Sequence, residues 1–295
     1  MLNYTCDDFL EDINFGMPSS FKPQDNFEAL VQDLPSMENQ TELIFKLAPV
    51  AENEKFVQKL KEDKMTKKLT EFKKGTTTLG FIYQGGILIA VDSRASMGSF
   101  IGSQKVRKVI EINEYLLGTM AGGAADCMFW ERRLAQWCKL YELRHGEKVP
   151  VSAASQYLAN MITQYRGYGL SMGTMIAGWD NREQGLYYVD DDGTRLKGYL
   201  FSVGSGSTYA YGILDSKYRY NMTKEEAIQL GREAIYHATH RDAGSGGVVR
   251  VYNIIRDGWE KIIDAEDVNS IHYAFAEAKG LRGDGNETNQ EVFNA

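Results

Sequence analysis

One alternation of texture constrains this chain more than anything else in it. From Thr76 onward, short apolar runs broken by glycine turns give way to two long helical periods, and then the strand-like runs return. "TTLGFIY", the turn "QGG" and "ILIAVDSRA" read as a β-hairpin, and "VRKVIEIN" with "YLLGTMAG" as a second strand pair. Apolar residues then recur at helical spacing from Ala124 to about Arg144 and from Ser152 to about Tyr165. Strands follow in "MGTMIAGWD", in "GLYYVDDDGTRLKG" with its Asp-Gly turn, and in "YLFSVGSG". One or two helices come next, the clearest opened by Thr223 and Glu226 at capping-box spacing. A hairpin turning at Asp257-Gly258 and a terminal helix near 265–279 complete the order. Strands joined by tight turns pair antiparallel, and paired helices must cover sheet faces. The order therefore predicts an α/β chain: a four-layer α/β/β/α sandwich of two antiparallel sheets between helix layers.

Residues 1–75 have a different character. They hold four of the five prolines, many carboxylates and a lysine-rich end, and only "FEALVQDL" and "FVQKLKEDKMTKKLTEF" show helical spacing. Short, loose helices without a core of their own are expected there, and a disordered tail after about Gly280. A net charge of -7 offers no basic surface for a phosphate backbone, so nucleic acid is not an expected partner. Neither a signal peptide nor a run of about 18 apolar residues occurs, which argues for an intracellular chain without a membrane span. Cys6, Cys127 and Cys138 lack disulfide or metal-ligand spacing and read as reduced core or surface thiols.

Several apparent motifs lack their context. "GLSMG" fits a nucleophile elbow, yet a helix precedes it and a strand follows, the reverse of what that turn needs. "GGAAD" and "VGSGST" lack the lysine and spacing of phosphate-binding loops and read as turns into helix N-termini. His237 and His240 share a helical face without an evident third ligand, so no metal is expected.

The threonines at the change of texture are a different matter. A threonine hydroxyl is a poor nucleophile without a base, and the amine of the same residue can serve if that residue begins the chain. With a reference pKa of about 8, an α-amine accepts a proton near neutral pH. Cleavage between Gly75 and Thr76 would create that amine, leaving residues 1–75 as a propeptide removed by autolysis and 76–280 as the enzyme domain. Such a site needs a cation beside the hydroxyl and a carboxylate to hold the cation. Asp92, at the end of the second strand, and Lys108, in the third, supply the types.

"GTTTLGF", "GGILIAVDSRAS", "LLGTMAGGAADC", "YRGYGLSMGTM", "VGSGSTYAYG" and "HRDAGSGG" together resemble the catalytic beta subunits of the 20S proteasome, of the chymotrypsin-like type. The match runs in order from residue 75 to about 263. It implies the N-terminal-nucleophile hydrolase fold and a threonine endopeptidase that cuts after hydrophobic residues, with no cofactor. By the resemblance Thr76 is nucleophile and base, Asp92 and Lys108 orient it, and Ser205, Asp242 and Ser245 surround its amine. Gly122 would donate to the oxyanion, while Ala95, Ser96, Val106, Met120 and Ala124 would bind substrate, Met120 at the base of a pocket for large apolar side chains. Implied partners are the other alpha and beta subunits of a stacked-ring complex, assembly chaperones reached through the propeptide, and unfolded polypeptides, in cytoplasm and nucleus. A structural beta subunit that is never processed, and a free-standing amidase of the same fold, are the competing readings. Three positions depart from the family pattern: Ser96 for a threonine, Met97 for a small residue, and Gly244 for a tyrosine.

Overall fold

The computed structural model describes residues 75–97 and 100–278, all within the second of two units, Met1–Thr70 and Glu71–Ala295. The expected leader helices, Cys6 and the tail lie outside the described residues. Five antiparallel strands form one sheet: β1 (Thr78–Tyr83), β2 (Gly86–Val91), β11 (Leu200–Val203), β12 (Val248–Ile255) and β13 (Gly258–Asp267), in the order β11-β1-β2-β12-β13. The other sheet runs β10 (Arg195–Lys197), β9 (Gln184–Asp190), β8 (Met172–Trp179), β6 (Leu116–Thr119), β5 (Val109–Glu111), with β7 (Ala121–Gly122) paired to β8.

Among the described residues five helices cover these sheets: α1 (Ala124–His145), α2 (Val151–Gln164), α3 (Ser207–Lys217), α4 (Lys224–Arg241) and α5 (Val268–Ala278). Three cores separate the layers. Leu79, Phe81, Leu88 and Ala90 of the first sheet pack under α3 and α4, whereas Ile82, Ile87, Ile89 and Val91 meet Leu117, Met175 and Leu186 between the sheets. Cys127, Trp130, Leu134 and Cys138 of α1 join Leu158 and Ile162 of α2 against Leu116, Ile176 and Val189. Alternate residues of one strand thus enter two different cores, which is why β1 and β2 are buried at every position and show no polar face. The sandwich expected from the element order is the one observed.

Local chemistry explains most boundaries. Thr223 Oγ1 accepts from Glu226 N–H while the Glu226 carboxylate accepts from Thr223 N–H, the capping box read from the sequence. Cys127 and Cys138 are both buried thiols outside any disulfide, so neither is a surface thiol. Where the sequence left one or two helices open, α3 is the second; it buries only Ala210 and Leu214, too few to announce a helical period. A small ribbon of β3 (Ala95–Met97) and β4 (Phe100–Ser103) was not expected, because its second strand is solvent-facing and carries no alternation. The terminal helix starts at Val268 and not near 265, since β13 continues its pairing to Asp267 opposite Val248.

Candidate active site

The β1–β2 hairpin sets the first pair of groups. Its register places Thr78 opposite Val91, so Thr77 and Asp92 lie side by side one residue beyond the ladder. Thr77 N–H donates to Asp92 Oδ1 at 2.9 Å, and Asp92 N–H donates to Thr77 O at 3.1 Å. Lys108 arrives from the other sheet. It stands one residue before β5 and not within a strand, with its carbonyl accepting from Met120 N–H at 2.8 Å to prolong the β5–β6 pairing. The site therefore sits at the end of the cleft between the sheets.

Lysine carries three ammonium protons, and three acceptors surround this one. Lys108 Nζ lies 2.6 Å from Asp92 Oδ1, 2.9 Å from Thr76 Oγ1 and 3.3 Å from Gly75 O. Asp92 Oδ2 accepts from Arg94 N–H at 3.2 Å and Gly246 N–H at 3.0 Å, so both its oxygens are engaged. Asp92 is fully buried and Lys108 nearly so. Burial pushes the Lys108 ammonium below its ordinary range, against the pull of Asp92. Burial likewise pushes the Asp92 carboxyl up, opposed by Lys108 and by the N–H groups of Thr77 and Gly246. A lysine so placed is desolvated, pinned and aimed at one hydroxyl.

On the other side of Thr76 a chain of hydroxyls converges on Asp242, the C-terminal cap of α4. Thr76 N–H donates to Ser205 Oγ at 3.2 Å, and Ser205 Oγ donates to Asp242 Oδ2 at 2.5 Å. Ser245 Oγ also donates to Asp242 Oδ2, at 2.6 Å, which leaves it to accept from Thr77 Oγ1 at 2.7 Å. Gly206 N–H donates to Thr76 O at 3.2 Å and fixes the backbone of the residue. All six residues expected to do the chemistry, Thr76, Asp92, Lys108, Ser205, Asp242 and Ser245, thus belong to one hydrogen-bonded network.

The Thr76 hydroxyl itself donates to Gly75 O at 2.6 Å. The Thr76 hydroxyl, the Gly75 carbonyl and the Lys108 ammonium consequently lie within hydrogen-bond reach of one another. That grouping suits addition of a hydroxyl to an acyl carbon, with the developing charge on oxygen met by a cation.

The remaining expected positions are spread around this network. Gly122 ends β7 with φ 97°, a left-handed conformation, and a Cβ there would lie 2.7 Å from Ser171 O, so glycine is required. Met120 is buried and shares the α1–α2 core with the half-buried Val106, whose N–H donates to Ser93 O at 3.0 Å. Ala95 and Ser96 belong to β3, and Ala124 opens α1. Ser96 Oγ is buried without a partner, a hydroxyl with capacity to spare. The side chain of Met97 lies outside the described residues. Sequence reasoning missed Thr77, which it took for an ordinary strand residue, and the N–H groups of Arg94 and Gly246. Backbone donors leave no mark on residue identity; Thr77 could have been found only by noticing that it neighbours Thr76.

The elbow-like "GLSMG" has no elbow: α2 ends at Gln164, β8 begins at Met172, and Ser171 N–H donates to Asp126 Oδ2. His237 faces Glu233 at 3.7 Å, whereas His240 stacks on His272 of α5.

Comparison with known proteins bears on the family of the chain. A family model for proteasome subunits matches residues 72–254, which include every residue of the network. The chain is 57% identical over 218 residues to proteasome subunit beta type-5 of Dictyostelium discoideum, covering 74% of this chain and 80% of that one. It is 58% identical over 212 residues to type-5-A of Arabidopsis thaliana (72% and 77% covered) and 60% identical over 208 residues to human beta type-8 (70% and 75% covered). With a family model across most of the sandwich and relatives of this identity along most of its length, the chain belongs to the proteasome subunit family.

Proposed function

We propose that this chain is the precursor of a catalytic proteasome beta subunit, a threonine endopeptidase that cuts its own Gly75–Thr76 bond and then hydrolyses peptide bonds after hydrophobic residues. The observation that carries this reading is the triple contact of Lys108 Nζ with Asp92 Oδ1, Thr76 Oγ1 and Gly75 O. In the first reaction the Thr76 hydroxyl adds to the Gly75 carbonyl carbon, and Lys108 meets the charge that grows on the carbonyl oxygen. The C–N bond breaks, the leaving nitrogen takes up the hydroxyl's proton, and water hydrolyses the resulting ester to a leader carboxylate and a free threonine.

The same residue then carries the second reaction. Its new amine, held by Ser205 and the Asp242–Ser245 pair, removes the hydroxyl proton as Oγ attacks a substrate carbonyl. Gly122 N–H donates to the oxyanion, a preorganised interaction worth about 3 kcal/mol. The amine returns the proton to the leaving peptide, and water releases the acyl group. Met120, with Ala95, Ser96, Val106 and Ala124, forms the pocket that prefers large apolar side chains.

As a member of its family the chain works in a complex with other proteasome subunits. Stacked rings of alpha and beta subunits, assembly chaperones bound through residues 1–75, unfolded polypeptide substrates and a place in cytoplasm and nucleus complete the reading. The intact mass of the subunit in purified complex tests it. A chain beginning at Thr76 is expected, whereas Thr76→Ala should keep residues 1–75 and lose hydrolysis of a Tyr-P1 peptide by about 10³-fold or more. A wild-type subunit that retains its leader in the assembled particle would be the structural subunit instead.

A further inference from the structure

Arg250 stands in β12 at a position where the strand pattern asks for an apolar side chain. Val249 and Val251 enter the core under α3 and α4, while Tyr252 and Ile254 enter the core between the sheets. Alternation places Arg250 with the second set, opposite Val91 of β2, and it is buried. Its partners among the described residues are two backbone carbonyls and no carboxylate: Nη1 donates to Val106 O at 2.7 Å and Nη2 to Lys105 O at 3.4 Å, while Nε is buried without an acceptor. Those carbonyls belong to a stretch with no ladder of its own. Residues 104–108 join β4 to β5 outside any strand, so their backbone groups must find partners elsewhere. Ser93 takes two of them, its Oγ donating to Gln104 O at 2.5 Å and its carbonyl accepting from Val106 N–H at 3.0 Å. Arg250 takes the two carbonyls that follow. Val106 is thereby held through its N–H on one side and its carbonyl on the other, with its side chain against the core that contains Met120. Lys108 is secured by other means, its carbonyl by Met120 N–H and its ammonium by Asp92.

From this arrangement we infer that Arg250 is a positioning residue for substrate choice: its fork, closed on two successive carbonyls, sets the wall that Val106 gives to the pocket for large apolar side chains. The inference rests on the reading of Met120 and Val106 as pocket residues, and adds to it the group that holds one of them in place. A guanidinium buried against neutral acceptors surrenders its hydration for little net stability, so what it contributes is geometry. Arginine meets two acceptors at a fixed spacing as a planar fork, which lysine cannot do. Without the fork both carbonyls lose their donors, and the segment shifts toward other partners and carries Val106 with it. Self-cleavage does not depend on that wall, because Gly75 has no side chain to place in the pocket.

Arg250→Met tests this, since it keeps a long side chain in the core and removes both donors. In assembled particles it should raise KM for a Tyr-P1 peptide by about fivefold with kcat within about twofold, so that the preference for Tyr over Ala at P1 falls by about fivefold. Leader loss, read as intact mass against time, should stay within about threefold of the wild-type rate. Arg250→Lys, which offers one ammonium in place of the fork, should show a preference between those of the wild type and Arg250→Met. An unchanged preference in Arg250→Met would overturn the inference. So would a loss of kcat and of leader removal as large as the loss of preference, since Arg250 would then serve the whole fold and not the pocket. Where the methionine chain fails to assemble, Arg250→Lys decides: a lowered preference sustains the inference and an unchanged one overturns it. A Val106→Ala particle that keeps the wild-type preference would instead overturn the placement of Val106 in the pocket.

Discussion

Two carboxylates among the described residues are entirely withdrawn from water, and they are treated in opposite ways. Asp92, at the end of the cleft between the sheets, accepts from Lys108, Thr77, Arg94 and Gly246. Glu131, on the buried stripe of α1, accepts only from Thr174 Oγ1 of β8 at 2.6 Å, and its Oε2 has no partner. Space beside it is so limited that a Cβ on Gly118 would collide with the carboxylate. Burial without a cation pushes the Glu131 carboxyl up to about 8, so it is a neutral acid at neutral pH. Burial alone therefore does not make a reactive group. What separates the two sites is the number of donors and a cation aimed at one particular hydroxyl.

The largest expected effect comes from removing that cation. Lys108→Ala leaves Asp92 buried with backbone donors only, and Thr76 without its charge partner. Breaking a buried pair in this way costs about 3–5 kcal/mol of stability. Leader loss and Tyr-P1 hydrolysis should both fall by about 10³-fold or more, measured on assembled particles. A Lys108→Ala particle that still matured would reduce Asp92 to the standing of Glu131, a buried acid without a chemical role.

Glu131→Gln probes the other side of the comparison. The folded chain keeps the Glu131 proton up to about pH 8, whereas the unfolded chain releases it near 4.5. Between those limits the folded state binds more protons, so stability present below pH 4.5 is lost as the pH rises, by about 1.4 kcal/mol for each unit traversed. The amide has no proton to lose. Heat-inactivation midpoints of Glu131→Gln should therefore exceed those of the wild type by a margin that grows from pH 5 to pH 8, with peptide hydrolysis unaltered. Parallel midpoints across that range would show that Glu131 is ionised after all and has found partners as Asp92 has.

The contrast also marks what could be read from residues alone. Hairpin turns, helical periods and their order suffice for the sandwich, because each is a local pattern and the layers follow from what those patterns must cover. A helix with two buried residues and a solvent-facing ribbon carry no such pattern, so α3 and the β3–β4 pair did not. Thr76, Asp92 and Lys108 were legible because the chemistry of a terminal threonine asks for them. Glu131 was not singled out from the sequence, although it falls four residues after Cys127 and three before Leu134, on the face that α1 buries. Gly244 read only as a departure from a family pattern; its contact with Gly75 spans most of the chain and has no trace in local sequence.

The smallest effect separates the two regions most finely, because one threonine hydroxyl stands in each, Thr77 Oγ1 in the network around Asp242 and Thr174 Oγ1 on Glu131. Thr77 Oγ1 donates to Ser245, which donates to Asp242, which holds Ser205, so it acts on the Thr76 nitrogen through three intermediaries. Thr174 Oγ1 donates straight to Glu131. Valine keeps the branched shape of either residue and removes only the hydroxyl. A net hydrogen bond is worth about 1 kcal/mol, so Thr77→Val should lower kcat for Tyr-P1 hydrolysis by about fivefold, with KM unchanged and Thr77→Ser restoring the rate. Thr174→Val should leave kcat alone and lower the inactivation midpoint, since it strips Glu131 of the one donor it has. If Thr77→Val lost stability and kept its rate, the hydroxyl chain around Asp242 would be scaffolding. The distinction between the two buried acids would then rest on the donors to Asp92 itself, Lys108 and the N–H groups of Thr77, Arg94 and Gly246.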